Sequence, residues 1–296
     1  MSVLVPAYNT ATTIGDALES ALSQDPPPYE VIVSDDGSLD DLDSALRPFA
    51  DRVHVVRGPN GGLAAARNRA AAVATGELLA LLDADDVWLP GRVAALTAAA
   101  AARPDLAVLT TDAVESRAGL RTPGSYYDVR AFDVGHQEVA ILRENFIFGA
   151  GAVRADAFRA VGGYRHGARH AEDWDLWLRL LLNGHRAGLI EQPLYEYRRR
   201  PESLTGQRLA LAVGILDLLA RVRSFPLDRA QRDQLDRTEQ RWREAAARAA
   251  HRAADPRARR MALRAAAGTR ATPKARLKFG AAAILPPRVV AWRVGQ

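Results

Sequence analysis

The apolar positions of the first eighty residues fall into two alternating periods. Ser2–Pro6 is a short apolar run closed by a proline, and Thr12–Ser23 places Ile14, Ala17, Leu18, Ala21 and Leu22 on one helical face. Past the break at Pro26–Pro28, apolar runs at Glu30–Ser34, Val53–Arg57 and Leu78–Leu82 alternate with helical stretches at Leu42–Phe49 and Leu63–Ala74. Strand–helix alternation of this kind predicts an α/β fold with a mostly parallel sheet covered by helices on both faces. Farther on the pattern is mixed. Leu106–Thr111 and Asn145–Arg154 read as strands, the second carrying Gly149 and Gly151, and Asp173–Asn183 reads as an amphipathic helix. After Thr205 the chain turns helical and arginine-rich to about Ala267, with a break from Gly268 to Pro273. The expected organisation is an α/β domain over 1–205 and a basic, mainly helical extension over 206–296.

In an open α/β sheet the ligand sits beyond the carboxyl ends of the strands. The polar clusters fall there: Ala7-Tyr8-Asn9 after the first strand, Asp35-Asp36 after the second, Asn60-Gly61-Gly62 after the third and Asp83-Ala84-Asp85-Asp86 after the fourth.

Composition narrows the chemistry. The chain of 296 residues has no cysteine, which excludes disulfides, thiol nucleophiles and cysteine-bound metal centres. The six histidines show no paired ligand spacing, and neither a Walker motif nor G-x-G-x-x-G is present. The net charge of +5 divides unevenly: residues 206–296 hold 20 Lys+Arg against 7 Asp+Glu, and residues 1–205 hold 20 against 28. An acidic front half does not suit a nucleic-acid grip. With no basic leader and no apolar run of about 18 residues, the expected location is the cytoplasm or the inner face of the membrane.

Three carboxylates in four residues, Asp83, Asp85 and Asp86, repel one another unless a cation neutralises them. Their hard oxygens suit Mg²⁺ or Mn²⁺, and such an ion stabilises a departing diphosphate. The competing reading is a cap on a helix beginning near Pro90. Asp35 and Asp36 offer acceptors for a base or ribose, or form a plain Asp-Gly-Ser turn. Arg67 pairs with phosphate or lies on a solvated helix face. Asp173 is a general base for an acceptor hydroxyl or an N-terminal cap.

The ordered set Val5–Asn9 (VPAYN), Val31–Asp40 (VIVSDDGSLD), Asn60–Ala70 (NGGLAAARNRA), Gly76–Pro90 (GELLALLDADDVWLP) and Ala171–Gly184 (AEDWDLWLRLLLNG) resembles glycosyltransferase family 2, inverting enzymes of the GT-A fold, over about residues 1–205. The resemblance implies a Rossmann-like mixed sheet and a nucleotide-diphosphate sugar donor, UDP- or dTDP-sugars first by family habit. It assigns Pro6, Ala7, Tyr8 and Asp36 to the base pocket, Asp36 holding the base, and Arg67 to the donor phosphates or sugar. It matches Asp83, Ala84 and Asp85 to the DxD motif, with Asp85 and Asp86 sharing ribose and metal, and Asp173 to the catalytic base. Phe148, Gly149, Glu172 and Trp174 fall on the acceptor side. The implied reaction is a single displacement onto a glycan, lipid-linked or secondary-metabolite hydroxyl. The sequence departs from the family where Arg200 stands in place of a histidine after the last core strand, which fits either a direct contact with phosphate or a loop that works differently. Two readings from other classes compete: a non-catalytic sugar-nucleotide-binding protein on the same fold, and a nucleotidyltransferase. The latter predicts a glycine- and lysine/arginine-rich loop after the first strand, and Tyr8-Asn9-Thr10 is not one. Residues 274–296 interleave cations with apolar residues, which fits either an interfacial helix on anionic lipid or a helix packed on the protein.

Overall fold

The structure, a computed structural model, describes residues 1–167, 170–199 and 208–284. The chain divides into two compact units. The first comprises Met1–Ile141 and Asn145–Pro201, and the second comprises Leu142–Glu144 and Glu202–Gln296.

The first unit opens with β1 (Ser2–Ala7), α1 (Ile14–Leu22), β2 (Glu30–Asp35), α2 (Leu42–Leu46), β3 (His54–Arg57), α3 (Leu63–Val73) and β4 (Leu78–Leu81). The four strands pair in parallel in the order β3-β2-β1-β4, with Ala7 opposite Asp35 and Asp35 opposite Arg57. Their carboxyl ends therefore open on one edge. The face of α1 read from periodicity is the buried one, with Ile14, Ala17, Leu18 and Ala21 inside. Each aliphatic side chain of that size stabilises the fold by about 1.5–3 kcal/mol on burial.

The second half of the unit departs from simple alternation. It runs through β5 (Val87–Trp88), α4 (Arg92–Ala102), β6 (Leu106–Arg117), β7 (Leu120–Arg121), α5 (Gln137–Arg143), β8 (Ala152–Arg154), α6 (Ala155–Ala160), α7 (Glu172–Leu182) and β9 (Arg186–Arg199). Among the described residues the strands form one nine-stranded sheet, β3-β2-β1-β4-β8-β6-β9-β5, with β7 paired to β6. β8 is antiparallel to both β4 and β6 and joins the parallel quartet to the long parallel pair β6–β9. The sheet is thus mixed.

Two expectations from periodicity are corrected here. The strand expected over Asn145–Arg154 shrinks to three residues, because residues 145–149 form a loop whose backbone bonds to a tyrosine rather than to a neighbouring strand. β5 and the length of β9 were not foreseen. Val87 and Trp88 pair with Glu196 and Tyr195, a contact between residues more than 100 positions apart.

The second unit holds α8 (Arg208–Val222), α9 (Arg229–Arg252), α10 (Ala258–Ala266) and α11 (Pro273–Ile284). A capping box starts α9: Asp228 Oδ1 accepts from Gln231 N at 2.8 Å and Asp228 N donates to Gln231 Oε1 at 2.9 Å. Its core is small, built on Ala247, Ala265, Ala271, Ala275 and Phe279. Among the described residues no helix is long and apolar enough to cross a membrane.

Candidate active site

The ends of β1, β2 and β3 are tied together by side chains. Pro6 and Ala7 are buried at the end of β1, and Tyr8 beyond them leaves 45% of its surface exposed. Asp35 Oδ1 accepts from Ser38 N at 2.9 Å, so the turn reading of this residue holds. Asp36 is buried, and its carboxylate takes the amides of Gly61 (3.1 Å) and Gly62 (2.7 Å) and the guanidinium of Arg69 (3.2 Å). These bonds tie its carboxylate to the glycine loop at Gly61 and Gly62. Gly62 begins α3 at φ +85°, a conformation that requires glycine.

The acidic turn after β4 splits its three carboxylates. None caps a helix, since α4 starts after Gly91 with no side-chain cap. Asp83 keeps 31% of its side chain exposed, with Oδ1 on Arg67 Nη2 at 2.8 Å. Ala84 is buried and Asp85 is half-buried. Asp86 is buried: Tyr195 Oη donates to Oδ2 at 2.7 Å and the Arg198 amide donates to Oδ1 at 2.8 Å. Burial and the nearby Asp83 push the Asp86 carboxyl well above its usual range, and burial together with Asp86 keeps the Tyr195 phenol protonated. Each of the Asp86 oxygens accepts one hydrogen bond that closes the turn against β9.

Arg67 links this turn to the head of α7. Its side chain is 4% exposed, and it donates to Asp83 at 2.8 Å and to Glu172 at 3.1 Å. Its guanidinium also lies 5.4 Å from the centroid of the Tyr164 ring. Burial works against its charge, but Asp83, Tyr164 and Glu172 outweigh that cost and hold the cation well above its ordinary value. Arg67 thus bridges two acidic elements, the turn after β4 and the head of α7.

At the head of α7 the cap position is Ala171, at φ +56° and without a side-chain cap bond, so Asp173 is not the helix cap. Asp173 Oδ1 accepts from Trp174 N at 2.8 Å and Oδ2 from Asn145 Nδ2 at 2.9 Å. Burial raises its pKa; Arg67 and these hydrogen bonds pull it down without cancelling the rise. Glu172 is raised by burial and by Asp173, and Arg67 opposes the shift. The pair thus holds carboxylates above the ordinary range, which is how buried acids become effective bases near neutrality.

The acceptor-side residues divide. Gly149 packs against Asp173: a Cβ there would lie 2.7 Å from Asp173 Oδ2. The Phe148 and Trp174 rings are both buried. Phe148 packs on Tyr126 and Tyr195, and Trp174 Nε1 donates to Ile141 O at 2.8 Å. Arg200 lies outside the described residues. No separate sequence signal marks Asn145, Tyr127, Tyr195 or the Arg198 amide; each sits in an ordinary apolar or strand-like stretch and reaches the site only through tertiary folding.

The turn after β4 fits a divalent ion only in part. Among the described residues no cluster of three or more His, Asp or Glu is arranged to hold a metal. With Asp86 turned inward, the turn offers Asp83 and Asp85. Two carboxylates completed by substrate phosphates is how Mg²⁺ is commonly bound.

The sequence profile described as "Glycosyl transferase family 2" matches residues 2–162. The succinoglycan biosynthesis protein ExoU of Rhizobium meliloti is 33% identical over 228 residues, covering 69% of this chain and 63% of ExoU, so the chain spans less than two thirds of that relative. The putative glycosyltransferase EpsE of Bacillus subtilis is 31% identical over 208 residues, covering 67% of this chain and 72% of EpsE. Among solved structures, S. aureus TarS 1-349 in complex with UDP-GlcNAc matches with a TM-score of 0.67 at 18% identity, over 95% of this chain and 86% of that one. The mannosyltransferase PcManGT from Pyrobaculum calidifontis, in complex with GDP-Man and Mn²⁺, matches with a TM-score of 0.63 at 24% identity, over 96% and 79%. The fold is GT-A, and the chain belongs to glycosyl transferase family 2.

Proposed function

We propose that the chain is an inverting glycosyltransferase that moves a sugar from a nucleotide-diphosphate sugar to an acceptor hydroxyl on a glycan or lipid-linked molecule. One observation carries the reading: Arg67 bonds Asp83 of the acidic turn and Glu172 of the α7 head simultaneously, so a diphosphate-side carboxylate and the candidate base Asp173 share one site. Tyr8 presents its ring to the donor base, and the loop anchored by Asp36 forms the wall beside it. Asp83 and Asp85 would hold Mg²⁺ or Mn²⁺, which when bound supplies positive charge to the departing diphosphate. Asp173 removes the acceptor proton, and its raised pKa keeps the carboxylate basic enough to do so. Arg67 prevents the turn and the helix head from separating under mutual repulsion. The names of relatives support the donor class: TarS is seen with UDP-GlcNAc and PcManGT with GDP-Man and Mn²⁺. The name of ExoU supports a polysaccharide acceptor.

The test is nucleoside diphosphate release from UDP-GlcNAc, dTDP-glucose and GDP-mannose with Mn²⁺, comparing the wild type with Asp173→Asn. The expected result is a loss of about 10²–10⁴-fold in turnover with donor binding retained. Donor binding by a wild type that never turns over would favour the non-catalytic reading instead.

We further propose a peripheral contact of α11 with the inner membrane surface. Its buried side carries Ala275, Phe279 and Ala282, and its exposed side carries Leu277 and Ile284 among Lys274, Arg276 and Lys278. Apolar residues ringed by cations suit an anionic interface. Residues 285–296 lie outside the described residues. Co-sedimentation with phosphatidylglycerol vesicles should be lost on deleting 274–296, and unchanged binding would remove the proposal.

A further inference from the structure

The loop from Asn145 to Gly149 covers one oxygen of Asp173 from two sides. Asn145 Nδ2 donates to Oδ2 at 2.9 Å, and Gly149 approaches so closely that a Cβ would sit 2.7 Å from the same oxygen. The loop is held in turn. The Tyr127 hydroxyl accepts from Phe148 N at 2.9 Å and donates to Phe146 O at 3.0 Å, clamping the backbone between Asn145 and Gly149. Arg92, fully buried with its guanidinium over the Trp88 and Tyr195 rings, donates to Ala150 O at 2.6 Å and fixes the far end. Among the described residues Asn145 Oδ1 is buried with no hydrogen-bond partner, while Nδ2 of the same amide bonds Asp173. A buried polar atom left without a partner is costly, and it persists where another contact requires the side chain to be there.

We propose that Asn145 is a positioning residue: its amide N–H, with the bare backbone of Gly149 beside it, fixes the Asp173 carboxylate in the orientation that receives the acceptor proton. The proposal rests on the reading of Asp173 as the base. The charged and titratable groups around Asp173 are Arg67 from α3, Glu172 on its own helix and Tyr164 in the preceding loop. Arg67 favours the ionised form, while Glu172 and the phenol do not donate to it. The neutral donors are the Trp174 backbone amide on Oδ1 and the Asn145 side chain on Oδ2, and only the second can be removed by substitution. A donated N–H favours the charged form, so its removal shifts the acidic limb of activity toward higher pH.

The experiment is the pH profile of kcat/KM for donor turnover with Mn²⁺, on UDP-GlcNAc or GDP-mannose, for the wild type, Asn145→Ala, Asn145→Asp and Gly149→Ala, with Asp173→Asn in parallel. Asn145→Ala should lower kcat roughly tenfold at neutral pH, leave the donor KM unchanged, and move the acidic limb up by about one pH unit. Asn145→Asp keeps the shape, exchanges the donor for a second carboxylate and should move the limb farther. Gly149→Ala should lower kcat with the donor KM unchanged, since the added methyl displaces Oδ2. Thermal unfolding checks that each variant is folded, and if Asn145→Ala does not fold, the isosteric Asn145→Asp decides. An acidic limb that stays in place in a folded Asn145 variant, while Asp173→Asn is inactive, overturns the role of Asn145 alone. Full activity of Asp173→Asn overturns the base assignment beneath it.

Discussion

At the turn after β4, three carboxylates are separated by environment. Asp83 stays partly exposed on Arg67, Asp85 is half-buried, and Asp86 sinks inward to bond Tyr195 and the Arg198 amide. At the head of α7 two carboxylates stay together, both raised by burial, with Arg67 between them and the turn. The first cluster relieves its repulsion by distance and by dedicating one member to structure. The second keeps its repulsion, and with it a basic carboxylate. Acidic residues that look alike in sequence thus take on opposite tasks: one cluster suits a cation and a diphosphate, the other suits a proton.

The sharpest way to break this contrast is to remove the shared cation. Arg67→Met should leave Asp83 and Glu172 uncompensated and destabilise the first unit by about 3–5 kcal/mol, read by urea unfolding, with turnover lost. A stable, active Arg67→Met protein would mean that the two clusters are independent. The pH response comes next. With Asp173 as the proposed base, kcat/KM should rise with pH through a folded pKa that burial holds above the ordinary value of about 3.9. Stability should run the other way. A carboxyl whose folded pKa is raised contributes fully below its unfolded pKa, and that contribution is lost as pH rises through the folded value. Asp173→Asn should flatten the slope of melting temperature against pH, and an unchanged slope would place the raised carboxyl elsewhere.

The two inner aspartates of the turn provide a finer comparison. Asp85→Asn should leave stability near that of the wild type and weaken Mn²⁺-dependent donor binding at least tenfold, measured by calorimetry. Asp86→Asn should do the reverse, costing about 1–2 kcal/mol through a mismatched partner at Tyr195 or Arg198, with donor binding within about threefold. Equal effects of both on donor binding would return Asp86 to the metal. The smallest effect is expected at the rim. Arg198 Nη1 meets Asp16 at 2.7 Å, with 31% and 66% of the two side chains exposed. Asp16→Ala should therefore cost no more than about 1 kcal/mol and leave kinetics alone, because the backbone amide of Arg198, not its side chain, holds Asp86.

The parallel quartet and its helices were legible because each short element writes its own period. α1 buries the side that its spacing predicts, and the polar clusters fall at the strand ends. The linking strand β8, the two-residue β5 and the loop over Asn145–Gly149 were not legible. Their hydrogen bonds go to partners far along the chain, and an apolar run with glycines reads equally as strand or loop. The same limit explains the site. Phe148 and Trp174 were expected to face an acceptor, and only burial showed that both rings belong to the core.

What the sequence determined by itself was the inventory: an α/β repeat, acidic groups at the strand ends, a second acidic pair opening an amphipathic helix, and no cysteine chemistry. The tertiary structure decided which carboxylate does what. Spacing along the chain fixes only how near neighbours lie. Whether an aspartate meets Tyr195, Arg67 or Asn145 depends on contacts 16 to 109 residues distant, and burial and hydrogen bonding there set its charge and its freedom to react.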